Sequence, residues 1–399
     1  MTNNQTVSGK VDLILQAMAP FLAAITDPDF SRAAQDPGAC NFVAGNPQEI
    51  ASPEYVKTLR RWAEPEDKDW FGYKMAHPPA MSAAAEGLSK ELGAEFDPDD
   101  IVLTRGAHGG LAAVLSTVVD PNDEVIFVSP PWFFYEAMIL GAGGRPVRVK
   151  VNPDGFDLDL EALAAAITPK TRVILINTPN NPTGRIYPEA TLERLADMLE
   201  AASKKNGRPI YILSDESYSR ILFDDNKMIT PARFYRRTFL IHTYSKTALA
   251  PGQRVGFVAM PPAMPHREDL RMAFLATALA TGNMLPDAIM QYALPEIETM
   301  MIDLADLQAK RDKMVAALGK AGYEVHTPEA TFYLLVRSPI PDDIEFTRML
   351  REKKVLVLPG RAVEMPGYFR ISLTATNEMI DRALPVFSAL NPASFGDRP

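Results

Sequence analysis

Residues 172–184 read Arg172-Val173-Ile174-Leu175-Ile176-Asn177-Thr178-Pro179-Asn180-Asn181-Pro182-Thr183-Gly184. A short apolar run stops abruptly in asparagine, proline and glycine. A strand buried on both faces shows such an unbroken run, and Asn, Pro and Gly are the residues that tight loops select. The stretch predicts a strand over 172–176 that feeds a fixed loop. Working outward, the same pattern recurs. Apolar runs lie at 101–103, 124–128, 209–213, 238–241 and 255–260, with helical patterns between several of them, such as 109–119 and 189–204. Strands separated by helix-length patterns imply βαβ units. The expected fold is α/β, with a large domain built on a mainly parallel central sheet flanked by helices.

Beyond Met300 the pattern changes. A helix over 301–321 precedes strands near 332–336, 355–358 and 369–373, with a further helix over 344–353. This reads as a smaller α+β domain. At the other end, 11–26 is a helix candidate closed by Asp27-Pro28, behind a polar tail over 1–10. Chain ends often lie close together. The expected division is an N-terminal arm and helix at 1–45 packing with the small domain, a large domain at 46–300 and the small domain at 301–399.

Composition narrows the function classes. The chain has 399 residues, 47% of them hydrophobic and 23% charged, which is ordinary for a globular protein with a sizeable core. Its formal charge of −9, with no basic block, argues against nucleic acid as a partner, because counterion release needs clustered Lys and Arg. The single cysteine, Cys40, cannot form an internal disulfide. The start lacks the parts of a signal peptide, and no stretch reads as about 18 consecutive apolar residues. The expectation is a cytoplasmic protein with no membrane partner. Five histidines, His77, His108, His242, His266 and His326, show no metal-ligand spacing, so no metal site is expected. No GxGxxG follows a strand, which argues against a dinucleotide-binding dehydrogenase.

Polar residues gather just beyond the strand ends, where open α/β sheets bind ligands. The loop at 177–184 offers asparagine amides, though turns favour these residues anyway. Asp215 follows the run at 209–213, where a carboxylate is a helix cap or a site residue. His242-Thr243-Tyr244-Ser245-Lys246 follows the run at 238–241, with Arg254 eight residues beyond the lysine. A lysine there is either solvated or an activated amine able to form a Schiff base. Thr104-Arg105-Gly106-Ala107-His108 leads into an apolar helix, and small residues at a helix start leave N–H groups free to hold phosphate.

Taken in order, Asn181-Pro182-Thr183-Gly184, Asp215-x-x-Tyr218, Ser245-Lys246 with Arg254, and Arg370-Ile371-Ser372 resemble the class I/II aminotransferases. These are the aspartate-aminotransferase-like branch of the fold type I pyridoxal-phosphate (PLP) enzymes. The resemblance runs from about Asn41 to Thr376. It implies transfer of an amino group from an L-amino acid to a 2-oxo acid by a ping-pong route, with pyridoxal 5'-phosphate held on Lys246 as an internal aldimine. It implies that Asp215 keeps the pyridinium protonated, that Asn181 and Tyr218 bond the ring's phenolic oxygen, and that Trp132 stacks on the ring, with Phe133 and Tyr135 as rivals. Arg254, Thr243, Ser245 and the backbone at Gly106, Ala107 and His108 would surround the phosphate. His108 stands where the family often has a smaller residue, so cofactor contact and a mere place at the helix start both remain open. Arg370, together with Asn181, would take the substrate's α-carboxylate beside Gly45.

The family's tyrosine from the neighbouring subunit implies a homodimer with shared sites. Tyr73 is the candidate, and Phe71 its rival. No second arginine is marked for a side-chain carboxylate, with Arg105, Arg271 and Arg361 all open. Gly252-Gln253-Arg254 also departs from the bulkier residue that better-known members carry before this arginine. Carbon–sulfur β-lyases and cyclopropane-carboxylate synthases share the lysine and the aspartate and are the alternatives. A PLP-binding regulator is a remote one, since about 40 residues before Gly45 are too few for its DNA-binding domain.

Overall fold

The computed structural model describes residues 6–282 and 285–396. Strand β1 (Cys40–Asn41) is followed by β2 (Ile101–Thr104), β3 (Glu124–Ser129), β4 (Arg145–Lys150), β5 (Thr171–Asn177), β6 (Tyr211–Asp215), β7 (Thr238–Thr243) and β8 (Gly256–Ala259). Later come β9 (Val325–His326), β10 (Tyr333–Arg337), β11 (Val355–Leu356), β12 (Leu358–Pro359) and β13 (Tyr368–Ser372).

Seven strands form one sheet in the order β2-β8-β7-β6-β5-β3-β4. Only β8 runs against its neighbours; the other pairings are parallel. The period-two alternation of a strand explains why its core segments are apolar throughout. Along β5, Val173 and Leu175 pack with Leu111, Val114 and Leu115 of helix Gly106–Val118. Ile174 and Ile176 point the other way, onto Leu192, Leu195 and Leu199 of helix Glu189–Asn206.

Strand β4 lay outside the expected set. It reads Arg-Pro-Val-Arg-Val-Lys and is mostly solvent-accessible. It is an edge strand, and charge and proline on an edge are tolerated and discourage further pairing. The run expected at 209–213 forms a strand two residues later, so Asp215 ends β6 rather than following it.

The second sheet has the order β12-β13-β10-β9 and is antiparallel. The run expected at 355–358 is split between β11, which pairs in parallel with β1, and β12. Residues 40–42 thus sit beside the second sheet, and the N–H of Ser372 donates to the Phe42 carbonyl at 2.8 Å. The first helix spans Gly9–Thr26, capped by Ser8, so the polar tail is shorter than expected. By length and composition this helix could cross a membrane, contrary to the expectation of no such stretch. It packs along helix Tyr135–Gly141, and Phe21 stacks on Phe133 with ring centroids 4.1 Å apart.

Candidate active site

Asn177, Asp215 and Thr243 are the last residues of β5, β6 and β7. Register places Asn177 beside Asp215, and Asp215 beside Ile241. Three polar side chains therefore meet at the carboxyl edge of the sheet. A turn, not a helix, follows Asp215, so its carboxylate caps nothing. It accepts instead from the Tyr135 hydroxyl at 2.7 Å and from the Ser217 hydroxyl at 2.6 Å. Asn177 ties the neighbouring strand in, donating its amide to the Asp215 carbonyl at 2.8 Å and accepting from the Asn181 N–H at 2.7 Å. Burial pushes the Asp215 carboxyl above its usual range; the Ser217 and Tyr135 hydroxyls and Lys246 pull it back only in part. A cation placed against it would be strongly held.

Across a cavity of about 310 Å³ lie three cations, Lys246, Arg254 and Arg370. Among the described residues none is engaged in an ion pair; their bonds go to neutral groups. Arg254 donates to the Pro251 carbonyl at 2.8 Å and faces Ser245 and the start of helix Gly106–Val118. At that start Gly106 has φ +69°, and a Cβ there would lie 2.8 Å from the Arg254 guanidinium. Glycine is thus required twice over, by conformation and by space. The free N–H groups of this helix start, the guanidinium and the hydroxyls of Thr243 and Ser245 make an anion cradle.

Arg370 is 3% exposed. It donates to Asn181 Oδ1 and to the Val43 carbonyl, each at 2.9 Å, while its Nε has no partner. A buried guanidinium with an orphaned N–H awaits an acceptor. Its carbon sits 3.9 Å from the centroid of the Tyr333 ring. Gly45 closes this side, since a Cβ would come within 2.6 Å of both Phe332 and the Tyr333 hydroxyl.

Tyr333 is the residue that sequence reasoning missed. Burial would raise its phenol, but Arg370 and Lys246, the Tyr218 hydroxyl and the Gly45 N–H outweigh burial and hold it below the usual tyrosine value. Tyr218 is raised, chiefly by burial. Tyr135 and Ser217 were likewise not foreseen as supports of Asp215. No motif marks them; they become neighbours only when the strands align.

Trp132 and Phe133 line the cavity, whereas Tyr135 is fully buried behind Asp215. His108 lies in the first turn of its helix and also lines the cavity, edge-on to Trp132 at 5.4 Å between ring centroids. It thus stands at the helix start and faces the cavity as well. Tyr73 and Phe71 are not brought to the cavity. They lie 94% and 58% exposed on a surface shared with Met75, Arg105 and Leu279. Among the described residues no cluster could hold a metal ion.

Residues 40–387 match the family described as aminotransferase class I and II. The chain belongs to that family. It is 30% identical over 358 residues to a probable aspartate/prephenate aminotransferase of Thermus aquaticus, covering 87% of this chain and 90% of that protein. An amino transferase from Eubacterium rectale superposes with a TM-score of 0.84 at 28% identity, covering 100% of both chains. A single mutant of the Thermus thermophilus aspartate aminotransferase gives 0.82 at 27% identity, covering 96% of this chain and 99% of that one.

The protein is a PLP-dependent transferase of amino groups, with amino acids and oxo acids as substrates. The cavity suits that cofactor on its own terms. It offers a buried carboxylate lacking a cationic partner, an amine, and a cation without a counterion beside a helix start.

Proposed function

We propose that this aminotransferase holds PLP with Lys246, Asp215 and the Arg254 cradle, and reads the α-carboxylate of both amino and oxo acid at Arg370. The observation that carries the assignment is the convergence of three cations without counterions on one cavity that holds one buried carboxylate. Each arginine then has a distinct acceptor. Arg254, with Thr243, Ser245 and the N–H groups of Gly106, Ala107 and His108, matches a phosphate. Arg370, steadied by Asn181, matches a carboxylate by its fork. Asp215 would keep a ring nitrogen protonated, and Asn181 and Tyr218 would hydrogen-bond the ring's phenolic oxygen. Trp132, on the cavity wall, would cover the ring face. Bound PLP supplies an electron sink for charge that develops at the substrate Cα. Lys246 Nζ, which lines the cavity, would be the base that takes the proton from the substrate Cα. An amino acid and its oxo acid share the α-carboxylate, so one clamp serves both turns of a ping-pong cycle.

The working unit in this reading is a homodimer in the cytoplasm, with residues 46–300 as the cofactor domain, 301–399 as the small domain and 1–45 as an arm whose first helix lies on the cofactor domain while residues 40–42 join the small one. Exposed Phe71, Tyr73, Met75, Met272 and Leu279 support the dimer, because a surface so apolar is normally covered. The unpaired, buried Cys40 is compatible with a reducing compartment. The decisive experiment is borohydride reduction of the PLP-loaded enzyme followed by peptide mapping. The label is expected on Lys246, and label on any other lysine overturns the assignment.

A further inference from the structure

Resting on that reading, we propose that the free end of the cavity admits apolar or aromatic substrate side chains and turns away a side-chain carboxylate, with Phe21, Phe133 and His108 setting the preference.

The charges in the cavity are accounted for before the side chain arrives. Four full charges line it, Asp215, Lys246, Arg254 and Arg370, and each serves the cofactor or the α-carboxylate. What remains of the wall is chiefly apolar, with Phe21, Ile25, Val43, Trp132, Phe133 and Leu358, and with the Asn46 amide and His108 as its polar side chains. The wall is built, not incidental. Phe21 stacks on Phe133 at 4.1 Å with the planes 13° apart, and meets Phe134 edge-on at 5.3 Å. His108 stands edge-on to Trp132 at 5.4 Å and to Phe134 at 5.5 Å.

His108 is the one remaining group that could offer a positive charge. Burial, and then the nearby Arg254, hold it below the ordinary histidine range, with only Asp215 pulling the other way. Its cationic form is disfavoured by these neighbours, and what it turns to the cavity is an aromatic ring.

The arginines that might have reached in are engaged elsewhere. Arg271 pairs with Asp99 at 3.3 Å. Arg361 pairs with Asp342 and Asp343, each at 3.0 Å. Arg105 lies outside the cavity and donates to the Leu285 carbonyl at 3.4 Å. A carboxylate pushed against this wall would lose its water and gain no partner, and such a burial is strongly unfavourable. An aromatic or branched aliphatic side chain loses nothing polar and meets ring faces and edges at ordinary stacking distances.

The test uses the PLP-loaded enzyme and two readouts. The first is the single-turnover change from the PLP to the pyridoxamine-phosphate spectrum with phenylalanine, leucine, alanine and aspartate. Phenylalanine and leucine should exceed aspartate in kcat/KM by at least about tenfold, the scale on which apolar pockets discriminate. The second is equilibrium binding of unreactive acids, read from the cofactor absorbance. 3-Phenylpropanoate should bind more tightly than succinate.

Two variants locate the preference. Phe21→Ala should raise KM for phenylalanine several-fold and leave alanine unaffected. His108→Arg should raise kcat/KM for aspartate about tenfold or more. If aspartate matches or exceeds phenylalanine in the unaltered enzyme, the proposal is overturned while the transaminase reading stands. Loss of that aspartate activity in Arg105→Met would then show that a second copy supplies the missing cation. If no amino acid changes the spectrum, the underlying reading falls, and this inference with it.

Discussion

Tyr333 shows how much one side chain can hold at once. Its ring lies under the guanidinium of Arg370, its hydroxyl meets the Gly45 N–H, and its phenol lies by Tyr218 and near Lys246. The two parts of the side chain separate by mutation. Tyr333→Phe keeps the ring and removes the hydroxyl. One net hydrogen bond is worth about 0.5–1.5 kcal/mol, so KM should rise roughly two- to tenfold for donor and acceptor alike. Tyr333→Leu also removes the face on which Arg370 rests. A desolvated cation–π contact adds up to about 2 kcal/mol, so the rise should be greater by up to roughly thirtyfold. PLP content should stay normal in both, because in the proposed arrangement Arg254 and the helix start would grip the phosphate separately. Steady-state KM values for both substrates and cofactor absorbance decide the matter. A loss of PLP with unchanged KM would place Tyr333 on the cofactor instead.

The sequence could suggest Asp215, Lys246 and Arg370 because each stands in a short local pattern. Tyr333 and Tyr135 have none. They are drawn to Arg370 and Asp215 across 37 and 80 positions by strand register and packing, which no local window contains.

At the scale of elements, the strand ends were the legible part. A strand buried on both faces must be apolar throughout, and its end must be polar where backbone groups meet a cavity. β5, β6 and β7 satisfy this and place Asn177, Asp215 and Thr243 in one row. The edge strand β4 obeys the opposite rule and was invisible to an apolar search.

The turn after β6 carries a consequence for pH. Glu216 is buried, accepting from Ser214 Oγ at 2.8 Å and Thr230 Oγ1 at 2.6 Å. Burial pushes its carboxyl up to about 8, with Glu91 and Asp215 adding to the rise against the two hydroxyls. Below the ordinary glutamate value of 4.5 both the folded and the unfolded chain hold the proton. Between that value and about 8 the folded chain keeps a proton that the unfolded chain has released, so stability falls as pH rises through this window. Glu216→Gln keeps an acceptor for both hydroxyls and removes the titration. Thermal midpoints of variant and unaltered protein should nearly coincide near pH 5 and separate toward pH 8, the variant being the more stable. Parallel curves across that range would mean that Glu216 is ionised in the fold.

The whole molecule leaves one expected site residue unplaced within a single chain. Tyr73 is nearly fully exposed and lies away from the cavity that its own Lys246 lines. Exposed Phe71, Met75 and Leu279 make the same surface unsuited to water. A two-fold pairing across this face would bury the patch and carry each Tyr73 toward the other chain's phosphate cradle, since such an interface repeats every contact in both directions. The consequence is complementation. A Lys246→Ala chain has no amine in its own site but would, on the proposed pairing, still lend Tyr73 to its partner. A Tyr73→Ala chain keeps its amine and lends nothing. Either homodimer should be nearly inactive, through loss of the amine in one and weakened PLP retention in the other. In a mixed dimer one site lacks both groups, and the other has both. Unfolding and refolding an equal mixture should therefore restore about a quarter of the unaltered activity, from one sound site in half the dimers. The same experiment with Phe71→Ala in place of Tyr73→Ala identifies which aromatic is lent. If neither mixture recovers activity while sedimentation shows mixed dimers forming, the site is completed within one chain.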